Sequence, residues 1–250
     1  MLPVLFALPI GCSPSYTDVQ RIDTIEAYEA FLEADPDSAY RNPVEKRLDE
    51  LWWDRAVQQD SLEGWAAFTE RWEGSKAKHY PEALAKHAEF AWNAAVADGS
   101  EGAVQAYVDK FGKANQVLAG RARGWLDAVH YGGLELSAPR VEKVNLAEDP
   151  EGPLNGWGVS VDAKNTGKDT LYYVRLSVQW QKPDGTPIET KDYPLVSDNW
   201  TMPATEEQQT PIKPGESRVW QWTEDFGVVA ESPEPKAVVF PSGLRTTPKE

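Results

Sequence analysis

Hydropathy along this chain changes its period once. Up to about Tyr131 apolar side chains recur three and four residues apart, the spacing of one helix face. After Leu136 they alternate with polar ones, the spacing of a half-buried strand. One bundle or one sheet cannot use both periods, so the sequence predicts an α + β protein of two domains. Helical hairpins are expected over 23–136 and an antiparallel β-sandwich over 137–250. The 250 residues suit two ordinary domains, and 41 % hydrophobic content with 11 Trp, 9 Tyr and 7 Phe supplies both cores, which excludes wholesale disorder.

Three segments of the helical half open alike: Asp23 with Glu26, Asp60 with Glu63, and Asp98 with Glu101. An acid followed three residues later by Glu reads as a capping box, which satisfies two orphan backbone N–H groups reciprocally. The openings lie 37 and 38 residues apart, a period expected of repeated helix hairpins. Tyr28 and Phe31, Trp65 and Phe68, and Val104 and Tyr107 then stripe one face of each first helix. Asn42-Pro43 and Pro81 open return helices, which carry Trp53 with Ala56, Trp92 with Ala95, and Trp125 with Ala128. Gly132-Gly133 ends the helical half. Trp52 adjoins Trp53, and neighbouring helical positions point about 100° apart. Trp52 is therefore a candidate partner-binding residue outside the core.

The stretch Tyr28-Glu-Ala-Phe31-Leu32-Glu-Ala-Asp-Pro36-Asp-Ser38-Ala-Tyr40, continued through Arg47, Leu48 and Leu51, resembles the tetratricopeptide-like repeats of bacterial envelope proteins. Outer-membrane assembly lipoproteins are among them. The resemblance covers about thirty residues and fades where Trp72-Glu-Gly-Ser75 and Phe111-Gly-Lys-Ala114 replace the Pro-x-Ser turn. It implies stacked hairpins whose concave face docks a protein partner.

In the second half, Trp157-Gly-Val159-Ser-Val161-Asp-Ala163 reads as a strand, followed by a turn at Asn165-Thr-Gly167. Tyr172, Val174, Leu176, Val178 and Trp180 then alternate with Tyr173, Arg175, Ser177 and Gln179. Asp184-Gly185 and Pro214-Gly215-Glu216-Ser217 mark further turns before Trp220-Gln-Trp222 and Val238-Val239-Phe240. This order resembles the small immunoglobulin-like domains of bacterial envelope proteins, such as the FxLYD group, over roughly Val141 to Phe240. The resemblance implies a binding or spacer module. Trp220 and Trp222 share a strand face, a core arrangement, whereas Trp200 in Ser197-Asp-Asn-Trp200-Thr is a candidate surface residue for a partner. A glycan stacked on Trp200 is the alternative to a protein partner.

Residues 2–10 form an apolar run too short for the roughly 20 residues that cross a bilayer, and of the length of a signal-peptide hydrophobic region. Ile10-Gly11-Cys12 resembles the lipobox of bacterial lipoproteins, although Pro9 stands where that motif usually has Leu. The resemblance implies a signal peptide over 1–12, lipidation of Cys12, and a polar tether over 13–22. Cys12 is the single cysteine, so no disulfide framework exists, and a lipidated Cys12 leaves no thiol for an oxidising compartment. Ser13 lacks the retention Asp of inner-membrane lipoproteins, which points to the periplasmic side of the outer membrane.

Chemistry is less legible. His79 and His87 lie eight residues apart, His130 sits near a helix end, and no metal site is expected of them. Neighbouring acids such as Asp49-Glu50 and Glu206-Glu207 read as solvated surface. No Gly-x-Ser-x-Gly, phosphate loop, His-Glu-x-x-His or dinucleotide fingerprint occurs. The net charge of −15 lacks the basic patch that nucleic acid requires. The sequence therefore predicts a non-catalytic envelope lipoprotein that binds a protein partner, with no cofactor and no nucleic acid.

Overall fold

The computed structural model describes residues 15–149, 152–199, 205–224, 229 and 232–249. Among these, eight helices and seven strands form an α + β chain in which every described strand pair is antiparallel. Two compact units, 1–91 and 92–250, divide within a helix. In chain order the helices are α1 Tyr16–Ile22, α2 Ile25–Ala34, α3 Arg41–Gln59, α4 Leu62–Arg71, α5 Tyr80–Asp98, α6 Glu101–Phe111 and α7 Gln116–Tyr131. The strands are β1 Leu134–Leu136, β2 Arg140–Asp149, β3 Gly152–Asn165, β4 Tyr173–Gln181, β5 Pro187–Ser197, β6 Ser217–Glu224 and β7 Lys236–Arg245, with α8 Glu206–Gln209 before β6.

Each short helix starts on a hydroxyl rather than on the expected acid. Thr24 accepts from the Ala27 N–H at 3.2 Å, Ser61 from Gly64 at 3.1 Å, and Ser100 from Ala103 at 3.2 Å. The caps lie 37 and 39 residues apart, so the period survives while its chemistry shifts by one or two positions. The residue before each cap is left-handed: Asp23 at φ 50°, Asp60 at φ 36° and Gly99 at φ 71°. That single residue ends one helix and turns the chain into the next. Asp tolerates the conformation because its side chain bonds locally. Here Asp23 accepts from the Tyr28 hydroxyl at 3.2 Å and Asp60 from Trp65 Nε1 at 3.1 Å, each five residues ahead.

The tether expected over 13–22 is corrected from residue 16 onward. Ser15 caps α1 by accepting from the Asp18 N–H, Val19 is fully buried, and the Tyr16 ring stacks on Tyr40 at 4.3 Å. An apolar anchor and a cap thus outweigh the polar composition. Val19, Tyr28, Phe31, Leu48, Trp65 and Phe68 centre the core of this first unit.

In the second unit β1 and β2 pair with one edge of β3 and β6 with the other, while β4 lies between β5 and β7. The two sheets share one core: Val159, Val161 and Trp220 pack with Val174, Leu176, Val178 and Trp180. Period-two alternation puts these on one face of each strand. The opposite face of β4 was expected to meet water, yet Ser177 and Gln179 are buried. Gln179 Nε2 donates to Asn93 Oδ1 at 2.9 Å, and Arg121 on α7 reaches Asp192 of β5 at 2.9 Å and the Thr190 carbonyl at 3.1 Å. The Trp92 ring meets Phe240 of β7 at 5.6 Å. Helical residues from 92 to 131 therefore belong with the strands, and the compact units part at 91/92 rather than at 136.

Small residues make this possible. Gly124 and Ala128, buried and four residues apart, make a nearly flat face of α7, and Gly124 meets β7. Strand β7 bulges opposite, since Arg175 pairs with Gly243 and Leu176 with Pro241, which leaves Ser242 outside the ladder. Arg175 Nη2 donates to the freed Ser242 carbonyl at 2.7 Å. A Cβ added at Gly124 would sit 2.0 Å from that oxygen. Behind this contact the fully buried Asn165 makes four bonds. It accepts from the Tyr131 hydroxyl at 2.9 Å and the Gly167 N–H at 3.1 Å, and donates to the carbonyls of Asp169 at 2.8 Å and Ile212 at 2.9 Å.

Gly124→Ala is expected to destabilise the protein by roughly 2–3 kcal/mol, because backbone rather than a movable side chain opposes the new methyl group. Thermal unfolding followed by circular dichroism should show a loss of about 5–10 °C. Gly120→Ala on the same helix, where an added Cβ meets nothing within 4 Å, should leave stability unchanged or slightly raised.

Candidate functional site

Helix α3 and the segment after α4 enclose a cleft of about 330 Å³ within the first unit. From α3 come Asn42, Glu45, Lys46, Asp49 and Glu50, spaced at 3, 4, 7 and 8 residues from the first and hence on one helix face. The other wall is Trp72 with residues 75–78. Local bonds shape that wall. The Trp72 N–H closes α4 on the Phe68 carbonyl, Gly74 turns the chain at φ 70°, and the Ser75 N–H returns to the Trp72 carbonyl at 3.0 Å. Ser75 Oγ then accepts from the Ala77 N–H at 3.1 Å, and Asp49 Oδ2 from the Lys78 N–H at 3.0 Å.

Asp49 is 4 % exposed, a correction to its expected place on the solvated surface. Its neighbour Glu50 does reach the rim, since one helical step rotates it away. His79 Nδ1 lies 3.2 Å from the same Asp49 Oδ2, off the line of a good hydrogen bond, while its ring stacks on Trp53 at 4.8 Å. Asp49 Oδ1 is buried with no hydrogen-bond partner among the described residues, and so is Nε1 of Trp72. Both atoms are closed off from water, although their residues line the cleft.

The rim carboxylates are engaged. Glu45 accepts from Arg41 Nε and Glu50 from Arg47 Nη1, each at 2.8 Å. Arg47 also holds both carboxylate oxygens of Asp23, at 2.9 and 2.8 Å. The Arg47 hydrogen bonds keep Asp23 and Glu50 below the usual carboxylate range, and the two acids push the guanidinium pKa up. Lys46, Lys76 and Lys78 complete the lining and form no ion pair among the described residues.

The residues singled out in the sequence lie elsewhere. Cys12 and Trp200 fall outside the described residues. Trp52 does leave the core partway, but its Nε1 donates to Glu29 at 3.3 Å and Arg55 covers its ring at 5.0 Å. Trp220 is buried, and Trp222 stacks on Tyr193 at 4.1 Å. His87 is buried with Nδ1 2.6 Å from Thr69 Oγ1, and His130 Nε2 meets Glu101 at 3.0 Å on the surface. His79 and His87 thus have different partners. Among the described residues no three His, Cys, Asp or Glu side chains gather as a metal ion needs, and no helix is long and apolar enough to cross a membrane. Sequence reasoning missed Asp49. The available signal was its helical register with Asn42, Glu45 and Lys46, directly after the buried Leu48.

No protein-family model matches the chain, and no curated protein does. Solved structures do. A Bordetella pertussis protein assigned as ApaA is 14 % identical with a TM-score of 0.25, covering 43 % of this chain and 87 % of that one. The Pseudomonas fluorescens alkylpurine DNA glycosylase AlkC, bound to DNA containing an abasic site analog, is 13 % identical with a TM-score of 0.30. That match covers 90 % of this chain and 64 % of AlkC. Likenesses of this size assign no activity or partner to the chain. Two expectations drawn from the sequence, that the protein is not an enzyme and that it has no nucleic-acid partner, are withdrawn, since each was read from an absence and an enzyme bound to DNA is among the solved structures this chain is similar to. Missing motifs exclude only chemistries that have recognisable motifs, and net charge does not describe a local surface.

The Arg47 bridge gives the first unit a pH signature. Asp23 and Glu50 have depressed pKa values when folded, so their contribution is present above the ordinary carboxylate range near 4 and is lost as pH falls through the folded values. Arg47→Met should be less stable than the parent at pH 7, by up to about 1 kcal/mol per exposed pair. The gap should narrow at pH 3, as urea unfolding at both pH values will register.

Proposed function

We propose that this chain is a lipid-anchored binding protein of the bacterial cell envelope, held by Cys12 on the periplasmic side of the outer membrane. Its helical hairpins act as tetratricopeptide-like repeats that dock a protein partner, and its two facing sheets act as an immunoglobulin-like β-sandwich that spaces or binds. The binding reading is carried by the recurring left-handed residue and hydroxyl cap at Asp23-Thr24, Asp60-Ser61 and Gly99-Ser100, spaced as hairpin repeats are. The envelope reading rests on the apolar run that ends at Gly11-Cys12. Each buried CH₂ of an acyl chain contributes about 0.8 kcal/mol, so two or more chains anchor stably.

Helix α7 packs on β7 of its own unit and α6 packs on α7, so docking falls to the hairpins before Ala91. Exposed apolar residues there include Tyr40 and Val57, 50 % and 49 % accessible. Mass spectrometry of the native N-terminus should find acylated Cys12, and Cys12→Ser should move the protein from membranes to the soluble fraction. An intact Met1 refutes the anchor. Photo-crosslinking residues placed at positions 40 and 57 should give discrete adducts with one protein in cells, whereas their absence at both positions refutes the docking role.

A further inference from the structure

Strands β2, β5, β6 and β7 each border a sheet of the second unit, and an open border is a template for another strand. Three of these borders are blunted. Strand β2 sets Arg140, Glu142, Lys143, Glu148 and Asp149 along its length and shifts register between Asn145 and Ala147. Strand β5 contains Pro187 and Pro194, and its register against β4 shifts twice. Strand β7 contains Pro241 and bulges at Ser242.

Strand β6 has none of these guards. It pairs with β3 in unbroken register, from Trp157 opposite Glu224 to Lys164 opposite Ser217, and holds no proline. No described backbone group outside β3 hydrogen-bonds to the backbone of 217–224. Val219 is 63 % exposed, and Gln221, two positions on and so on the same face, is exposed as well. A straight edge with an exposed valine invites another strand.

The strand's own sequence identifies the occupant. Residues 218–224, Arg-Val-Trp-Gln-Trp-Thr-Glu, read alike in chemistry from either end. Laid antiparallel on a second copy about Gln221, they oppose Arg218 to Glu224, Val219 to Thr223 and Trp220 to Trp222. Opposite charges, β-branched pairs and aromatic pairs are the cross-strand neighbours that stabilise a sheet. Centring the pairing on Trp220 instead sets Arg218 against Trp222 and Val219 against Gln221, which loses the match. Within its own chain Arg218 donates to the carbonyls of Glu207 and Pro211 and lies near the charges of Glu207 and Glu216. Its pairing with Glu224 is therefore the weaker part of the match, and the self-opposed Gln221 the stricter one. We propose that this chain forms a two-fold symmetric dimer by antiparallel β6–β6 pairing with Gln221 on the axis, joining the four-stranded sheets of two copies. The dimer uses a different surface from the hairpins assigned to partner docking and does not rest on the anchor at Cys12.

Sedimentation velocity of the full chain, from about 1 μM to about 500 μM, should show monomer giving way to dimer with a micromolar Kd, since one strand pair makes a small interface. On the axis, Gln221→Lys sets two ammonium groups against each other, and Gln221→Glu two carboxylates. Either variant should weaken the dimer at least tenfold. Far-UV circular dichroism and thermal unfolding should stay those of the parent, because position 221 is exposed. An equimolar mixture of the two variants opposes unlike charges and should dimerise at least as tightly as the parent. That recovery requires residue 221 of one copy to meet residue 221 of the other. Hydrogen exchange of the unsubstituted chain gives a second reading, and should slow in 217–224 as concentration rises. The proposal is overturned if the chain stays monomeric at the highest concentration, or if the dimer persists unchanged in both variants. It is equally overturned if the mixture of folded variants recovers no dimer, or if exchange in 217–224 does not change with concentration.

Discussion

The second unit depends on a place where α7 has no side chain. At Gly124 the helix backbone rests on the bulged carbonyl of Ser242, and Arg175 completes the hydrogen bonding of that carbonyl from β4. A bulge frees a carbonyl, a buried free carbonyl needs a donor, and a guanidinium on the neighbouring strand supplies one. With the carbonyl satisfied, the helix can approach to backbone contact at Gly124. Ser177, Gln179 and Arg121 then form polar bonds inside a layer that would otherwise be apolar. Such bonds require defined positions, so they fix the helix in register where a greasy contact would let it slide.

The first unit solves a different problem, reversing the chain repeatedly within few residues. A left-handed Asp followed at once by Thr or Ser does it by ending one helix and capping the next. The Asp carboxylate accepts from an aromatic group one turn into the new helix, so the turn is tied to the core. Arg47 then joins Asp23 to Glu50, clamping the turn before α2 against α3. Where glycine takes the Asp position, at Gly99, no such tie exists.

How much of this was legible follows from where the information sits. The period of 37 to 39 residues, the buried pairs Tyr28 with Phe31 and Trp65 with Phe68, and the β4 alternation are all local patterns, and they read correctly. Capping was misplaced by one residue at Asp23-Thr24 and Asp60-Ser61, where two good caps stand side by side and only the backbone angles decide which one is left-handed, and by two residues at Asp98, where Gly99 stands between. The compact-unit boundary was not legible. Ser177 and Gln179 look like residues that face water, and nothing local tells that an alanine-rich helix more than fifty residues earlier will cover them. Asp49 was hidden for the same reason, since adjacent acids on a helix read as surface until their opposite wall is known.

Asp49 shows how one buried side chain can hold a whole segment in place. Its Oδ2 fixes the Lys78 N–H and so shapes the wall of the cleft, a role an asparagine carbonyl could fill at lower desolvation cost. Burying a carboxylate costs stability unless something compensates, and the imidazole of His79, with Nδ1 3.2 Å from the same Oδ2, is the basic group beside it. A carboxylate here therefore ties the wall of the cleft to the His79 imidazole as well as to the Lys78 backbone.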